Sequence, residues 1–256
     1  MMFKRSKLIP FEVSNVLYEN RYCDQEGFSI LVCGGDDLNG KTTNEVLELE
    51  VPSFKMKEFP SMVKPHYDSI SINIQSDVLV TSKRVEYYIN LIKPVLSVEI
   101  YSKKAKTWTH RYVKMKERSY YCITTLMGKL YLIGGYFINE VKYLTSCFTY
   151  EIIKNTWNKL ADLNVARGFT ASTVFEGKIV VTGGLNSYTY LKSVESYDCY
   201  ENKWTYLPDI IKPRCSHAAV SLGNKMFVID GYVETICEVF YNFSRKFIKI
   251  NSEIKI

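Results

Sequence analysis

The chain has 256 residues, 46% of them apolar, and its 33 lysines and arginines against 27 acidic residues give a net charge of +6. That length suits one domain with a substantial core, and no apolar run in it approaches the roughly 20 residues that cross a bilayer as a helix. The seven cysteines stand singly, without a CxxC, and their odd number argues against a disulfide framework and for reduced thiols in the cytoplasm.

The chain opens on a basic stretch, Met1 to Lys7, with no apolar run behind it, which is not the pattern of a secretory leader. Pro10 to Val16 is the best candidate for a helix, and a short one. Residues 1–17 are read as an extension. Beyond them the chain repeats itself to its end.

The repeat is clearest in its later copies. Trp108, Trp157 and Trp204 each follow a tyrosine by seven residues (Tyr101, Tyr150, Tyr197) and precede an arginine by ten (Arg118, Arg167, Arg214). Sixteen residues past each arginine lies Gly134-Gly135, Gly183-Gly184 or the relic Asp230-Gly231. The same ruler finds worn copies. The first has Gly34-Gly35, with Tyr18 sixteen residues before and Met56 in the tryptophan place. The second has His66 in the arginine place and Ser82-Lys83 where the glycines would stand. The last has Phe240 and Phe247 for tyrosine and tryptophan. Periods near 50 residues mark repeats of one supersecondary unit. Five units result, at 18–65, 66–117, 118–166, 167–213 and 214–256, and the second, without glycines, is expected to be the least regular.

Within a unit, short runs of β-branched and aromatic residues alternate with turn residues, as in Ser172–Phe175, Glu176-Gly177, Lys178–Thr182, Gly183-Gly184, Ser193–Tyr197 and Trp204. That punctuation predicts all-β structure with four strands per unit. The runs before each Gly-Gly, Leu130 to Ile133 and Ile179 to Val181, are continuously apolar and predict strands covered on both faces. Ser193 to Tyr197 alternates apolar and polar residues and predicts an outer, half-exposed strand.

Gly-Gly, the tyrosine seven residues before a tryptophan and the arginine ten after it resemble the kelch repeat of β-propellers, over roughly residues 18 to 250. With its abundance of Lys, Ile, Tyr and Asn, the chain is similar to the kelch half of poxvirus BTB-kelch proteins. The resemblance implies an all-β, kelch-type propeller of about five four-stranded blades, closing as a ring or remaining an open arc. It also implies a protein-interaction module related to adaptors of cullin ubiquitin ligases. The expected BTB and BACK parts have no room before residue 18, so no direct cullin binding is expected. The alternative is a stand-alone kelch scaffold, or a truncated relic of a longer BTB-kelch protein.

Catalysis is not expected. The three histidines, His66, His110 and His217, form no metal-ligand pairing, and neither a GxSxG elbow nor a P-loop is present. No catalytic, cofactor or metal site is read. Residues 103 to 118 hold Lys103, Lys104, Lys106, Arg111, Lys114, Lys116 and Arg118 against Glu117 alone. This reads first as a solvated outer strand and loop, and second as a surface steering an acidic peptide. No nucleic-acid motif accompanies the charge, and neither nucleic acid nor membrane is expected as a partner.

In kelch adaptors that this chain resembles, partner contacts cluster after the Gly-Gly and around the arginine. The corresponding positions here are Asp36, Tyr136, Leu185 and Tyr232, and Arg118, Ser119, Arg167, Arg214 and Ser216. Aromatic and arginine side chains suit hot spots, and arginine takes a carboxylate bidentately. The expected ligand is therefore a protein segment with acidic residues. Against this stands the reading in which the arginines bridge blades by bonding to loop carbonyls.

Overall fold

In the computed structural model, the runs of β-branched and aromatic residues form strands. The residues described are 16–18, 28–35, 41–51, 53, 55–66, 69–74, 77–82, 95–114, 118–137, 140–151, 154, 156–232, 237–241 and 246–249. The helix expected around Pro10 to Val16 lies outside them except for Val16, which is in a strand. The chain divides into two compact units, Met1–Glu117 and Arg118–Ile256.

The first unit contains two antiparallel sheets of four strands. One joins β1 (Val16–Tyr18), β2 (Phe28–Cys33), β3 (Val46–Val51) and β4 (Lys55–Phe59) in sequence order. The other joins β5 (Ser69–Ile74), β6 (Asp77–Ser82), β7 (Val95–Ser102) and β8 (Thr107–Lys114) in the same way. Leu31, Cys33 and Val46 of the first sheet share one core with Val78, Val80, Tyr101 and Trp108 of the second. The indole N–H of Trp108 donates to the Pro60 carbonyl at 2.6 Å, so the tryptophan both fills the core and holds the preceding loop.

The second unit contains three such sheets. The first is built from β9 (Cys122–Leu126), β10 (Lys129–Ile133), β13 (Cys147–Glu151) and β14 (Thr156–Lys159). Between β10 and β13 stands a small hairpin, β11 (Tyr136–Phe137) with β12 (Lys142–Tyr143). The next sheet is β15 (Ala171–Phe175), β16 (Lys178–Thr182), β19 (Val194–Asp198) and β20 (Lys203–Leu207). It carries its own hairpin, β17 (Leu185–Asn186) with β18 (Thr189–Tyr190). The last sheet is β21 (Ala218–Leu222), β22 (Lys225–Ile229), β23 (Cys237–Tyr241) and β24 (Lys246–Lys249). Among the described residues the structure is thus all-β, with five four-stranded, blade-like sheets, two in the first unit and three in the second. The two small hairpins are additions that four strands per unit did not anticipate.

Inner strands β10 and β16 are buried from their second residue on, as their continuous apolar runs predict. The alternating run does not behave as read. In β19, Val194, Glu195, Ser196 and Tyr197 are all buried, because β19 lies between β16 and β20 rather than at an edge. Its Glu195 faces a buried arginine instead of water.

Tyr197 and Trp204 pack on the neighbouring blade, in one core with Cys122, Tyr131, Ile133 and Cys147. Phe240 and Phe247 repeat the arrangement against Phe175, Val180 and Val194. Each pair of landmark aromatics also touches internally, Tyr197–Trp204 at 5.0 Å and Phe240–Phe247 at 5.1 Å between centroids, which adds about 0.5–1.5 kcal/mol beyond area burial. Trp157 is only half-buried.

The Gly-Gly pairs are required by closeness as well as by backbone angle. Gly183 has φ +53, and a Cβ there would stand 2.6 Å from the Arg214 carbonyl oxygen. Gly184 has φ +104, and its N–H donates to that same carbonyl at 2.8 Å. Only glycine lets one blade's strand end press against the next blade's leading segment in this way.

Candidate functional site

The arginine landmarks are internal. Arg167 and Arg214 are fully buried and Arg118 is 2% exposed. Arg167 donates to the carbonyls of Gly183 at 2.7 Å and Ser193 at 2.9 Å, and forms an ion pair with Glu195 at 2.7 Å. Arg214 donates to the Asp230 carbonyl at 2.8 Å and pairs with Glu238 at 2.5 Å. Each glutamate in turn accepts two backbone N–H bonds from the loop leading into its blade. Glu195 takes those of Asn164 (2.8 Å) and Val165 (3.1 Å), and Glu238 those of Ile211 (2.7 Å) and Lys212 (3.1 Å). A buried charge is tolerated when it is paired and hydrogen-bonded on all sides. The arginine thus ties the Gly-Gly end, the third strand and the leading loop of one blade together. Its guanidinium is not available to a ligand.

In the second and third blades, departures from this pattern follow from single substitutions. In the second blade His66 replaces arginine and still faces the equivalent acid, Glu99, at 3.4 Å, both fully buried. Glu99 keeps its two backbone bonds, from Val63 at 2.7 Å and Lys64 at 2.5 Å. In the third blade the acid is replaced by Phe148, and the Arg118 guanidinium sits over that ring, 4.9 Å from its centroid. Arg118 keeps the carbonyls of Gly134 (2.9 Å) and Ser146 (3.0 Å), but burial lowers its pKa to about 10. Glu99, Glu195 and Glu238 were missed in the sequence. Their signal was present: each stands two residues before the landmark Tyr101, Tyr197 or Phe240.

Around these braces, the two sets of expected contact positions come together. The residue after each arginine pairs with the residue after each Gly-Gly, as Ser119 with Tyr136, Gly168 with Leu185, and Cys215 with Tyr232. One residue further on, Tyr120, Phe169 and Ser216 all have positive φ (54, 53 and 50). Their backbones link successive blades, the Phe169 N–H donating to the Tyr120 carbonyl at 2.8 Å and the Ser216 N–H to the Phe169 carbonyl at 2.9 Å. The Tyr120 and Phe169 rings stack at 4.0 Å.

Of the expected contact residues, Ser119 is buried, Tyr136 and Leu185 are half-buried, and Ser216 and Tyr232 are exposed, Tyr232 to 66%. Asp36 lies outside the described residues. The hairpins add residues the sequence did not single out. Tyr143 packs on Tyr136 at 4.9 Å and Tyr190 on Tyr232 at 5.9 Å, while Tyr188 at a hairpin tip is 91% exposed. Burial raises the Tyr143 pKa, with neighbouring tyrosines adding to the shift, so its hydroxyl remains a donor at neutral pH.

The basic stretch is divided by the fold. Lys103, Lys104 and Lys106 stand exposed on the turn between β7 and β8, and Arg111 is exposed on the edge strand β8. Arg118 belongs to the interior. Lys116 lies outside the described residues. The two other histidines also have structural partners. His110 Nε2 is 2.9 Å from Ser97 Oγ, and His217 Nε2 is 2.7 Å from Thr182 Oγ1.

The Kelch motif family matches residues 166–210, from the leading loop of the fourth blade to just past its last strand. "Kelch-like protein 41a" of Danio rerio is 34% identical over 105 residues, 41% of this chain and 17% of that protein. "Kelch repeat protein C2" of Vaccinia virus (strain Western Reserve) is 28% identical over 159 residues, 61% of this chain and 30% of that protein. The Camelpox virus (strain CMS) protein of the same name is 27% identical over 159 residues. The chain thus aligns with less than a third of the length of these relatives.

Proposed function

Taking the chain as a kelch-repeat propeller protein similar to the poxvirus kelch proteins, we propose that it is a recognition module, not an enzyme, and binds a host protein in the cytoplasm. The observation that carries this reading is the repetition of one surface feature over consecutive blades. After each Gly-Gly the chain presents Tyr136, Leu185 or Tyr232, bonded by its backbone to the segment that follows an arginine. A ligand lying across blades would meet the same kind of position several times, which is how a propeller gathers a binding surface from single residues.

The proposed contact set is Tyr136, Leu185, Tyr232 and Ser216, with Ser119 holding Tyr136 in place; Asp36 is the corresponding position of the first repeat in sequence only. The three arginines serve this face by fixing its loops. An acidic preference in the ligand rested on their guanidiniums, which point inward, and so that preference is not carried forward. A ligase-adaptor role is open to the same experiment, because cullin would be recovered together with the chain.

The test is affinity capture from mammalian cells by the intact chain, comparing wild type with Tyr136→Ala/Tyr232→Ala and with Lys104→Ala/Lys106→Ala. Circular dichroism serves as the folding control. Loss of a reproducible partner in the tyrosine variant and its retention in the lysine variant is the expected result. A folded tyrosine variant that keeps every partner overturns the assignment of this face.

A further inference from the structure

The tyrosines around the hairpin tips form a surface with a definite chemistry. Tyr136 packs on Tyr143, Tyr190 packs on Tyr232, and the Tyr143 ring lies against Gly168, 3.3 Å from where a Cβ would stand. The Tyr143 hydroxyl is within electrostatic reach of Tyr188 and Tyr190 as well as Tyr136. Five tyrosines thus run across three consecutive blades of the second unit. Among the described residues, none of the five hydroxyls is engaged by another protein group.

The tip of the β17–β18 hairpin is strained in a way that bears on this surface. Ser187 and Tyr188 form its two-residue turn with φ +44 and +69. Both central residues at positive φ is the geometry that Asn-Gly adopts readily, and a bulky side chain there is an outlier. Such strain persists where the surrounding structure holds it in place, and it clusters at ligand clamps. Here it holds Tyr188 almost wholly in solvent at the tip of the hairpin that carries Tyr190.

Charge narrows the ligand. The buried arginines contribute nothing to the surface, and among the described residues the exposed charges flanking it balance, Glu140 and Asp230 against Lys142 and Lys192. Neither an acidic nor a basic segment gains a net countercharge there, and a basic one meets a protein of net charge +6. What the surface does offer is ring faces and free hydroxyl donors. Those match a proline-rich strand: its rings lie on aromatic faces, and its carbonyls accept from tyrosine hydroxyls. Proline nitrogens carry no N–H to be left unsatisfied. Such a segment is also extended before it binds, which lowers the entropy lost on docking.

The geometry points to the Tyr136–Tyr143–Tyr188–Tyr190–Tyr232 surface as a docking site for an uncharged, proline-rich segment of a partner protein in the polyproline II conformation. This deepens the reading above, and rests on it, by naming the chemistry of the ligand that the face takes.

Fluorescence polarisation tests it with three labelled peptides of equal length, a decaproline, a Glu/Ser peptide and a Lys/Ser peptide, titrated with the intact chain. Binding of the decaproline alone is expected, weakened at least tenfold in Tyr188→Ala/Tyr232→Ala. A second variant, Ser187→Asn/Tyr188→Gly, relieves the turn, and is expected to melt at or above the wild-type temperature while still losing decaproline binding. Preference for either charged peptide, binding to none of the three, or decaproline binding unchanged in both variants overturns the proposal. If cellular partners depend on Tyr136 and Tyr232 while decaproline does not bind, the binding face stands and its proline chemistry falls.

Discussion

At the scale of single residues, the chain depends on buried charges held by ion pairs and hydrogen bonds. Arg167 and Glu195 have no exposed side-chain surface, and each bonds to backbone groups as well as to the other. Removing one member leaves the other uncompensated, at a cost of about 3–5 kcal/mol, whereas apolar replacement of both is far milder. Glu195→Ala is therefore expected to destabilise the protein more than the double change Arg167→Met/Glu195→Leu, measured as urea-unfolding midpoints. A double variant less stable than the single one would mean that the backbone bonds of the pair matter more than its charge balance. In the third blade only the acid is replaced, by Phe148, and the Arg118 guanidinium is held by the carbonyls of Gly134 and Ser146 and by that ring. The sequence displayed all three arginines clearly, but not their direction. An arginine at a fixed interval reads equally well as ligand contact or internal brace until the carboxylate facing it is known.

At the scale of elements, strands of neighbouring blades are joined by a few specific contacts, and one of them titrates. His217, just before β21, meets Thr182 at the end of β16. Burial, and then the positive charge of Arg214, lower its pKa to about 3. The unfolded chain returns this histidine to about 6.5. Between those values the unfolded state binds the extra proton, so stability rises with pH. The contribution is complete above about pH 6.5 and is lost as pH falls toward about 3, with a slope approaching about 1.4 kcal/mol per pH unit. Unfolding midpoints at pH 7 and pH 5 are expected to fall further in wild type than in His217→Gln. Equal falls would mean that His217 is not buried as a neutral ring. Elements differed in how far the sequence revealed them. The apolar runs of β10 and β16 were plain, while β19 looked half-exposed because its Glu195 and Ser196 are polar. The strand is nevertheless internal, because Glu195 has a buried arginine to meet. The two-residue hairpins had no periodic signal at all, being too short for alternation to appear.

At the scale of the whole molecule, net charge can be changed on exposed turns without touching the buried pairs. Lys104 and Lys106 stand exposed on the turn between β7 and β8. Replacing both by alanine lowers the net charge from +6 to +4, since 33 basic residues become 31 against 27 acidic ones. Exposed substitutions of this kind remain within about 0.5 kcal/mol each, so the melting temperature is expected to stay within a few degrees of wild type. A large drop in a thermal melt would show that the turn packs more closely than its exposure implies.

The repeat of a four-stranded sheet was legible in the chain alone. Landmarks at fixed separations predicted five four-stranded units, because a blade cannot bury its aromatic pair without a neighbour and each neighbour repeats the same demand. Even worn copies remained legible, with His66 in the arginine place and Phe240 and Phe247 in the aromatic places. The tertiary structure alone decided which of those landmarks are internal and which are exposed. Arg118, Arg167 and Arg214 turn inward because carbonyls and carboxylates distant in sequence converge on them. Tyr143, Tyr188 and Tyr190 become surface because short hairpins lift them beside the residues that follow each Gly-Gly. Spacing along the chain records which positions are equivalent. Whether an equivalent position is core or contact depends on the groups that other segments bring to it, and that information is carried by no single stretch of sequence.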